Sequence, residues 1–388
     1  MEYDLIIVGG GPAGASAGRA AALRGLSTLL IEKSRFPRYK PCAGAVSERA
    51  LASLDFEIPP SIREREIKGG RLFVRNQCFE RTLDRRLGII VSRSAFDEYL
   101  LGKAREAGLD VRMEERVLDF EESDEHVSVR TTAGAYRSRF AVIAEGAQGT
   151  LKYRVRRRDA KDEFGICLVT EIEERNDIIS ARLPDIIEIH FDAVAMGYGW
   201  IFPHDGYYSV GIGSFASIAA KPKEVMGEFL QKHGFVSRPR IRGHLIPVGG
   251  ITRTVASSRV LLCGDAAGFV DPLTGEGIAY AIRSGQIAAG VVADACAGGK
   301  KGSALARYPK LCRRDFGSNL FYALLSAKII YNSPGTFYKV LSADTAAVDK
   351  YLETSIDRQQ YRRYLRWLAP RLPRYLLTQK RTVAPPAT

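Results

Sequence analysis

Residues 1 to 32 constrain this chain more than any other stretch. Tyr3 to Val8 is a short, β-rich apolar run, and it leads into Gly9, Gly11 and Gly14, a G-x-G-x-x-G spacing. Pro12 to Arg24 follows as an alanine-rich segment with helical character, closed by Gly25. Ser27 to Ile31 is a second apolar run with Glu32 at its end. Strand, helix and parallel strand in this order form a β-α-β unit. The first glycine then permits the tight turn, the second admits a pyrophosphate close to the backbone, and the third lets helix pack on strand. Backbone N–H groups at the helix start favour phosphate, and Glu32 is placed to accept from a ribose hydroxyl. The opening predicts a dinucleotide site built from Gly9, Gly11, Pro12, Ala13, Gly14, Glu32 and Lys33.

A glycine triplet allows NAD as readily as FAD. The strand-then-glycine pattern returns in RVLLCGDAAGFVDPLTGEGIAYAI at 259–282, which resembles the distal flavin motif of the p-hydroxybenzoate-hydroxylase-like superfamily. The resemblance implies FAD, with Gly264 and Asp265 beside the ribityl chain. Gly275, Gly277 and Ile278 lead into a helix whose positive N-terminus can stabilise negative charge on the reduced ring. Arg93 matches the position of an arginine beside the cofactor, and Val117 is placed with it as a cofactor contact. The superfamily usually carries G-A-D-G before its substrate domain, whereas this chain reads Gly146-Ala147-Gln148-Gly149. The missing Asp leaves the electron donor open between NAD(P)H and a ferredoxin-like carrier.

The segment Tyr198-Gly199-Trp200-Ile201-Phe202-Pro203, then seven residues, then Gly211-Ile212-Gly213 resembles the Y-x-W-x-F-P-x7-G-x-G signature of the geranylgeranyl reductase family. On a strand, Tyr198, Trp200 and Phe202 alternate onto one face as an aromatic wall suited to a long apolar polyene. Lys40-Pro41-Cys42-Ala43-Gly44-Ala45 is similar to the family's K-x-C-G-G-G loop, matching lysine, cysteine and one glycine. Lys40, Cys42, Ala43 and Gly44 are therefore expected at the cofactor, and Tyr198, Trp200, Phe202, Gly211 and Gly213 at the substrate. The resemblance implies hydride transfer from reduced FAD N5 to an isoprenoid double bond, coupled to protonation, with Cys42 as proton donor. A thiol of pKa about 8.5 is too weak to form a free carbocation, so Cys42 requires a concerted step or a relay. His204, Tyr207 and Tyr208 are alternative donors.

Around these motifs the sequence reads as an α/β protein. A Rossmann-like FAD-binding domain occupies 1–150, with a short strand insertion at about 65–92, and resumes at 256–300. An antiparallel-sheet substrate domain fills 151–255, where the helical signal largely disappears. A basic helical region follows at 301–388. Helices are expected from about Ser47 to Leu54 and from Ser94 to Ala107, and paired strands over Val111 to Arg130 around a turn at Ser123-Asp124-Glu125. Six cysteines without CxxC or metal spacing fit a reducing compartment and predict neither disulfide nor metal.

The net charge is +13, and residues 301–388 hold sixteen Lys/Arg against five Asp/Glu. In Asp357 to Leu368, Tyr361, Tyr364, Leu365 and Leu368 recur at helical spacing beside Arg358, Arg362, Arg363 and Arg366, with Trp367 nearby. This pattern suits either a helix resting on a bilayer or one packed on its own domain. No run reaches the ~20 apolar residues of a membrane span; Phe321 to Ile330 is broken by Lys328. With no secretory signal before the strand at Tyr3, the expectation is a cytoplasmic protein, peripheral on the inner membrane face. An isoprenoid lipid is the expected partner: a geranylgeranyl lipid, geranylgeranyl diphosphate or a polyprenyl quinone side chain. The rival readings are an aromatic monooxygenase on the same scaffold and a flavoprotein electron carrier to membrane quinone. For the carrier, the missing iron–sulfur cysteine cluster is counter-evidence. A flavin halogenase would need W-x-W-x-I-P, which Tyr198 and Phe202 break, and the flavin motifs argue against a nucleic-acid module.

Overall fold

The computed structural model describes residues 2–217, 219–235, 240–298, 305–355 and 360–377. Its first sheet has the order Asp110–Arg112, Thr28–Ile31, Glu2–Val8, Ala135–Ile143, Val127–Thr131, Val117–Glu122, and Val260–Leu262 also pairs with Ala135–Ile143. Glu2–Val8 runs parallel to both neighbours. Thr28–Ile31 is buried along its whole length, as a parallel strand covered on both faces must be. Helix Pro12–Ala22 starts with Pro12, whose missing N–H falls where a helix has no partner for it. A Cβ on Gly14 would run into the Gly9 carbonyl, and one on Gly285 would come 3.0 Å from Ala17 N. These two glycines let helix Pro12–Ala22 lie against the strand on one side and helix Ile278–Gly298 on the other.

The second sheet has the order Arg242–Pro247, Phe164–Glu173, Tyr207–Phe215, Gly197–Pro203, Ile186–His190, Gly69–Val74, Gln77–Thr82. Two expectations need correction. The strands Gly69–Val74 and Gln77–Thr82 are not an insertion in the first domain. They complete the substrate sheet, where Gly69–Val74 runs parallel to Ile186–His190, so that sheet is mixed and draws on both sides of position 150. The 151–255 block also holds helices, Asn176–Arg182 and Pro222–Lys232. The second buries Met226, Phe229 and Leu230 against the back of the sheet. A third, small sheet joins Ala45–Ser47, Gly88–Ile90 and Arg65–Ile67. Ser47 caps a helix that ends at Leu51, shorter than expected. Helix Arg93–Glu106 and the antiparallel pair Val117–Glu122 with Val127–Thr131 lie where the sequence placed them.

From Arg307 onward the described chain is helical. Helices Ser318–Asn332 and Gln360–Leu368 pack together over the front of the second sheet. There Ala323, Ala327, Ile330, Tyr361 and Tyr364 share one buried core with Trp200 and Phe202. Tyr361 is 1% exposed and Tyr364 5%, so the tyrosines of the Arg-rich helix are spent on the protein's own core. Asp357 and Arg358 lie outside the described residues. No described helix is long and apolar enough to cross a membrane.

Candidate functional site

A cavity of about 800 Å³ runs along the seam between the two large sheets, from Gly9 and Gly11 to Tyr351 and Leu352 in the C-terminal helices. Its volume is at the upper end of ordinary ligand pockets. At one end is the glycine turn. Gly9 has φ +101°, and a Cβ there would come 2.9 Å from the Ala144 carbonyl carbon. A Cβ on Gly11 would meet nothing nearer than Arg38 Nη2 at 3.7 Å, so the backbone at Gly11 is open to the cavity. Glu32 is buried; its Oε2 accepts from Gly10 N at 2.7 Å and its Oε1 from Ser34 N at 2.9 Å. Each oxygen keeps a lone pair for a ligand hydroxyl. Pro12, Ala13, Lys33 and Val117 also line the cavity.

Next comes a chain of buried charges. The fully buried Asp97 binds Arg93 through two hydrogen bonds of 2.9 Å and Arg38 at 3.1 Å. Burial alone would lower the Arg93 pKa, but Asp97 and the neighbouring Cys42 raise it, so the guanidinium stays charged against the Cys42 thiol. Gly44 N points at Cys42 Sγ from 3.5 Å. Lys40 Nζ lies 2.8 Å from His244 Nε2, which is 3.9 Å from Asp265 Oδ2. Burial pushes both the Lys40 and the His244 pKa down. Burial works to raise the Asp265 pKa, but His244 and the Lys40 and Arg93 charges outweigh it and hold Asp265 ionised. An open glycine turn, a buried carboxylate at the second strand's end, and the N-terminus of helix Ile278–Gly298 with Gly275 and Gly277 beside it make a donor set that fits FAD.

The aromatic wall forms the far side. Trp200 and Phe202 are buried in the front core together with half-buried Tyr198, while Ile201 between them packs into the back core. This is the two-residue period expected of a strand. The Tyr198 and Trp200 ring centroids are 6.2 Å apart. Tyr198 donates its hydroxyl to the Thr274 carbonyl, which ties the wall to the distal glycine stretch one residue before Gly275. Gly213 lines the cavity.

Gly14, Gly44, Gly211 and Gly264 do not line the cavity among the described residues; their work is close packing. A Cβ on Gly264, at φ +56°, would meet Ala13 at 3.1 Å; one on Gly44, at φ +79°, would press on the His204 ring. The alternative proton donors also lie elsewhere. His204 is turned to Glu64 and, at 3.1 Å, the Ala43 carbonyl. Tyr207 stacks on His204 at 4.3 Å, and Tyr208 belongs to the back core. Several cavity residues carried no sequence signal: Arg38, His244, Cys167, Tyr351 and Leu352. They come from a loop, two strands and a helix that only the fold brings together. Glu188 and His190 of the second sheet cluster with His233 at the end of helix Pro222–Lys232, with the Glu188 carboxylate already bound by Arg71 at 2.8 Å and Arg182 at 3.2 Å.

A family model described as an FAD-binding domain matches residues 2–170. The digeranylgeranylglycerophospholipid reductase of Thermoplasma volcanium is 30% identical to this chain, with 76% of this chain and 78% of that protein covered. The menaquinone reductase of Mycobacterium tuberculosis is 31% identical over 74% of this chain and 75% of its own. A crystal structure described as a geranylgeranyl bacteriochlorophyll reductase-like protein, from Thermoplasma acidophilum, shares the fold with a TM-score of 0.79 at 24% identity, covering 97% of this chain and 98% of that one. With the glycine turn, the distal flavin motif and the aromatic wall meeting on one cavity, the chain belongs to the geranylgeranyl reductase family of FAD-dependent oxidoreductases.

Proposed function

We propose that this protein reduces carbon–carbon double bonds of an isoprenoid chain, carried by a geranylgeranyl lipid, geranylgeranyl diphosphate or a polyprenyl quinone. The observation that supports this most is the wall of Tyr198, Trp200 and Phe202 on the same cavity as the glycine turn, tied by Tyr198 to Thr274. Bound reduced FAD supplies the hydride. The chain's own residues hold the cofactor and the alkene, exclude water and deliver the proton. In this reading Gly9, Gly11, Pro12, Ala13 and Glu32 hold the nucleotide half, while Lys33, Lys40, Ala43, Arg93, Val117, Asp265, Gly275, Gly277 and Ile278 surround the rest. Gly14, Gly44 and Gly264 keep these elements in place.

Cys42 is the proton donor. Arg93 against its sulfur stabilises negative charge left there after transfer. An isolated alkene has no carbonyl to take up charge, so proton and hydride must move together. The faces of Tyr198 and Trp200 offset part of the cationic character, by ~0.5–2 kcal/mol. That is a small share of a catalytic barrier, so positioning between wall and cofactor has to do the rest.

The test is anaerobic. The purified flavoprotein is reduced with dithionite and mixed separately with geranylgeranyl lipid, geranylgeranyl diphosphate and menaquinone, and flavin reoxidation is followed with mass spectrometry of the product. One of these should reoxidise the flavin and gain a pair of hydrogens, and Cys42→Ala should slow that step while leaving flavin binding intact. Reoxidation only by oxygen, with NAD(P)H and hydroxylation of another substrate, would make the protein a monooxygenase. Anaerobic bleaching by NADPH separates that donor from a ferredoxin-like carrier.

A further inference from the structure

Helix Ser318–Asn332 has two apolar faces. Its inner face, Ala323, Ala327 and Ile330, closes the core that holds Trp200 and Phe202, and Tyr331 donates to the Leu273 carbonyl at 2.9 Å. Its outer face carries Phe321, Leu325 and Ile329, which are 56%, 41% and 45% exposed. The spacing of four residues puts all three on one stripe. Large apolar side chains scattered singly on a surface need no explanation, but a contiguous stripe on one helix face marks an interaction site.

The charge around the stripe indicates the partner. From Phe316 to Ala343, and again from Arg358 to the last residue, the sequence contains no Asp or Glu. Lys328 is exposed on the helix itself, Arg313 and Arg314 are exposed just before it, and Arg363 and Arg366 are exposed on helix Gln360–Leu368, which packs against it. An apolar stripe on a helix that carries Lys328, beside a helix with Arg363 and Arg366 exposed and with no carboxylate on either, matches the interface of an anionic bilayer: acyl chains for the stripe, headgroup phosphates for the cations.

We propose that the outer face of helix Ser318–Asn332 docks on an anionic lipid bilayer and sets the cavity beside it. The idea rests on the isoprenoid reading above and gives it a route. One helix, roughly 10 Å thick, separates the stripe from the aromatic wall, so a polyprenyl chain passes from acyl chains to cavity without crossing bulk water. Docking is thereby assigned to Phe321, Leu325 and Ile329, and the Arg-rich helix contributes charge while its tyrosines stay in the core.

The test uses the full flavin-loaded chain and vesicle sedimentation. Equimolar phosphatidylcholine and phosphatidylglycerol vesicles are compared with phosphatidylcholine alone. The parent should bind the anionic vesicles and release with salt. The combined variant Phe321→Ser, Leu325→Ser and Ile329→Ser should bind at least about tenfold more weakly. The pair Lys328→Glu and Arg366→Glu should lose a similar factor, since each basic residue near an anionic leaflet strengthens partition about fivefold. Both variants should keep bound flavin and the parent melting temperature. Unchanged binding by the serine variant, or equal binding to neutral vesicles, overturns the proposal. So does a concentration-dependent dimer that the serine variant abolishes, because the stripe then covers a second copy. Vesicle binding needs no turnover, so a failed reductase assay leaves this result readable. With substrate dispersed in detergent the serine variant should turn over like the parent.

Discussion

Asp271 is fully buried, with Oδ1 accepting from Leu273 N at 2.9 Å and Thr274 N at 3.0 Å, and Oδ2 without a hydrogen-bond partner. Burial pushes its pKa up; Arg49 counters this but does not cancel it. A carboxyl with a raised folded-state pKa holds its proton more tightly folded than unfolded. Its neutral form costs no charge burial at low pH, and stability falls as the pH climbs from the unfolded value of 3.8 through the folded one. Asp271→Asn keeps the acceptor for both amides and removes the charge. The variant should melt higher than the parent near neutral pH, by about 1.4 kcal/mol for each unit of pKa elevation, and the gap should close as the pH approaches 4. A gap that does not change with pH would mean that Asp271 has the same pKa folded as unfolded, so that burial does not raise it. At this scale the sequence was legible where a motif names both residue and spacing, as for Glu32 and Asp265. It was silent on Asp271, a residue inside a motif, and on Arg38 and His244, which share the cavity only because loop and strand are folded together. A buried charge gives no sequence signal until its partners are known.

Strand Gly197–Pro203 and its partner Tyr207–Phe215 show how an element divides the work of a motif. The sequence treated Gly211 and Gly213 alike. In the pairing, Gly211 lies opposite Trp200 and Gly213 opposite Tyr198. A Cβ on Gly211 would come 2.5 Å from Trp200 Cη2 and from the Leu168 carbonyl oxygen, whereas one on Gly213 finds nothing nearer than 3.9 Å. Gly211→Ala should therefore displace the indole or the strand and destabilise the protein by roughly 1–3 kcal/mol, as overpacking does. Gly213→Ala should leave the melting temperature near that of the parent and narrow the cavity, raising KM for a long isoprenoid. Melting curves of the pair check the first statement and steady-state kinetics the second. Equal melting losses would mean that both glycines serve only packing. Period-two alternation made this strand readable in advance, because Trp200 and Ile201 belong to different cores. Helix Pro222–Lys232 was hidden because its apolar face is short, Val225, Met226, Phe229 and Leu230, between segments rich in strand-forming residues.

On the scale of the whole molecule, the chain crosses between its two large sheets several times, and the cavity is the seam those crossings leave. Gly69–Val74 leaves the first domain to pair with Ile186–His190, and Val260–Leu262 returns to pair with Ala135–Ile143. No window of sequence shows such pairings, which is why the expected boundary near position 150 divides a sheet. The C-terminal helices close the same seam. Tyr351 and Leu352 line the cavity, and Tyr361 and Tyr364 fill the core behind the aromatic wall. Truncation before Asp357 should therefore act on folding ahead of any effect on lipid binding. Deleting a buried aromatic side chain costs roughly 3–5 kcal/mol, and whole domains are stable by only about 5–15 kcal/mol. Losing Tyr361 and Tyr364 together should lower the melting temperature sharply and weaken flavin retention, while the serine variant of the outer stripe leaves both unchanged. If the truncated chain melts with the full-length protein and keeps its flavin, the Arg-rich helix is an appendage. The core behind Trp200 would then have to be held by helix Ser318–Asn332 and the sheet alone.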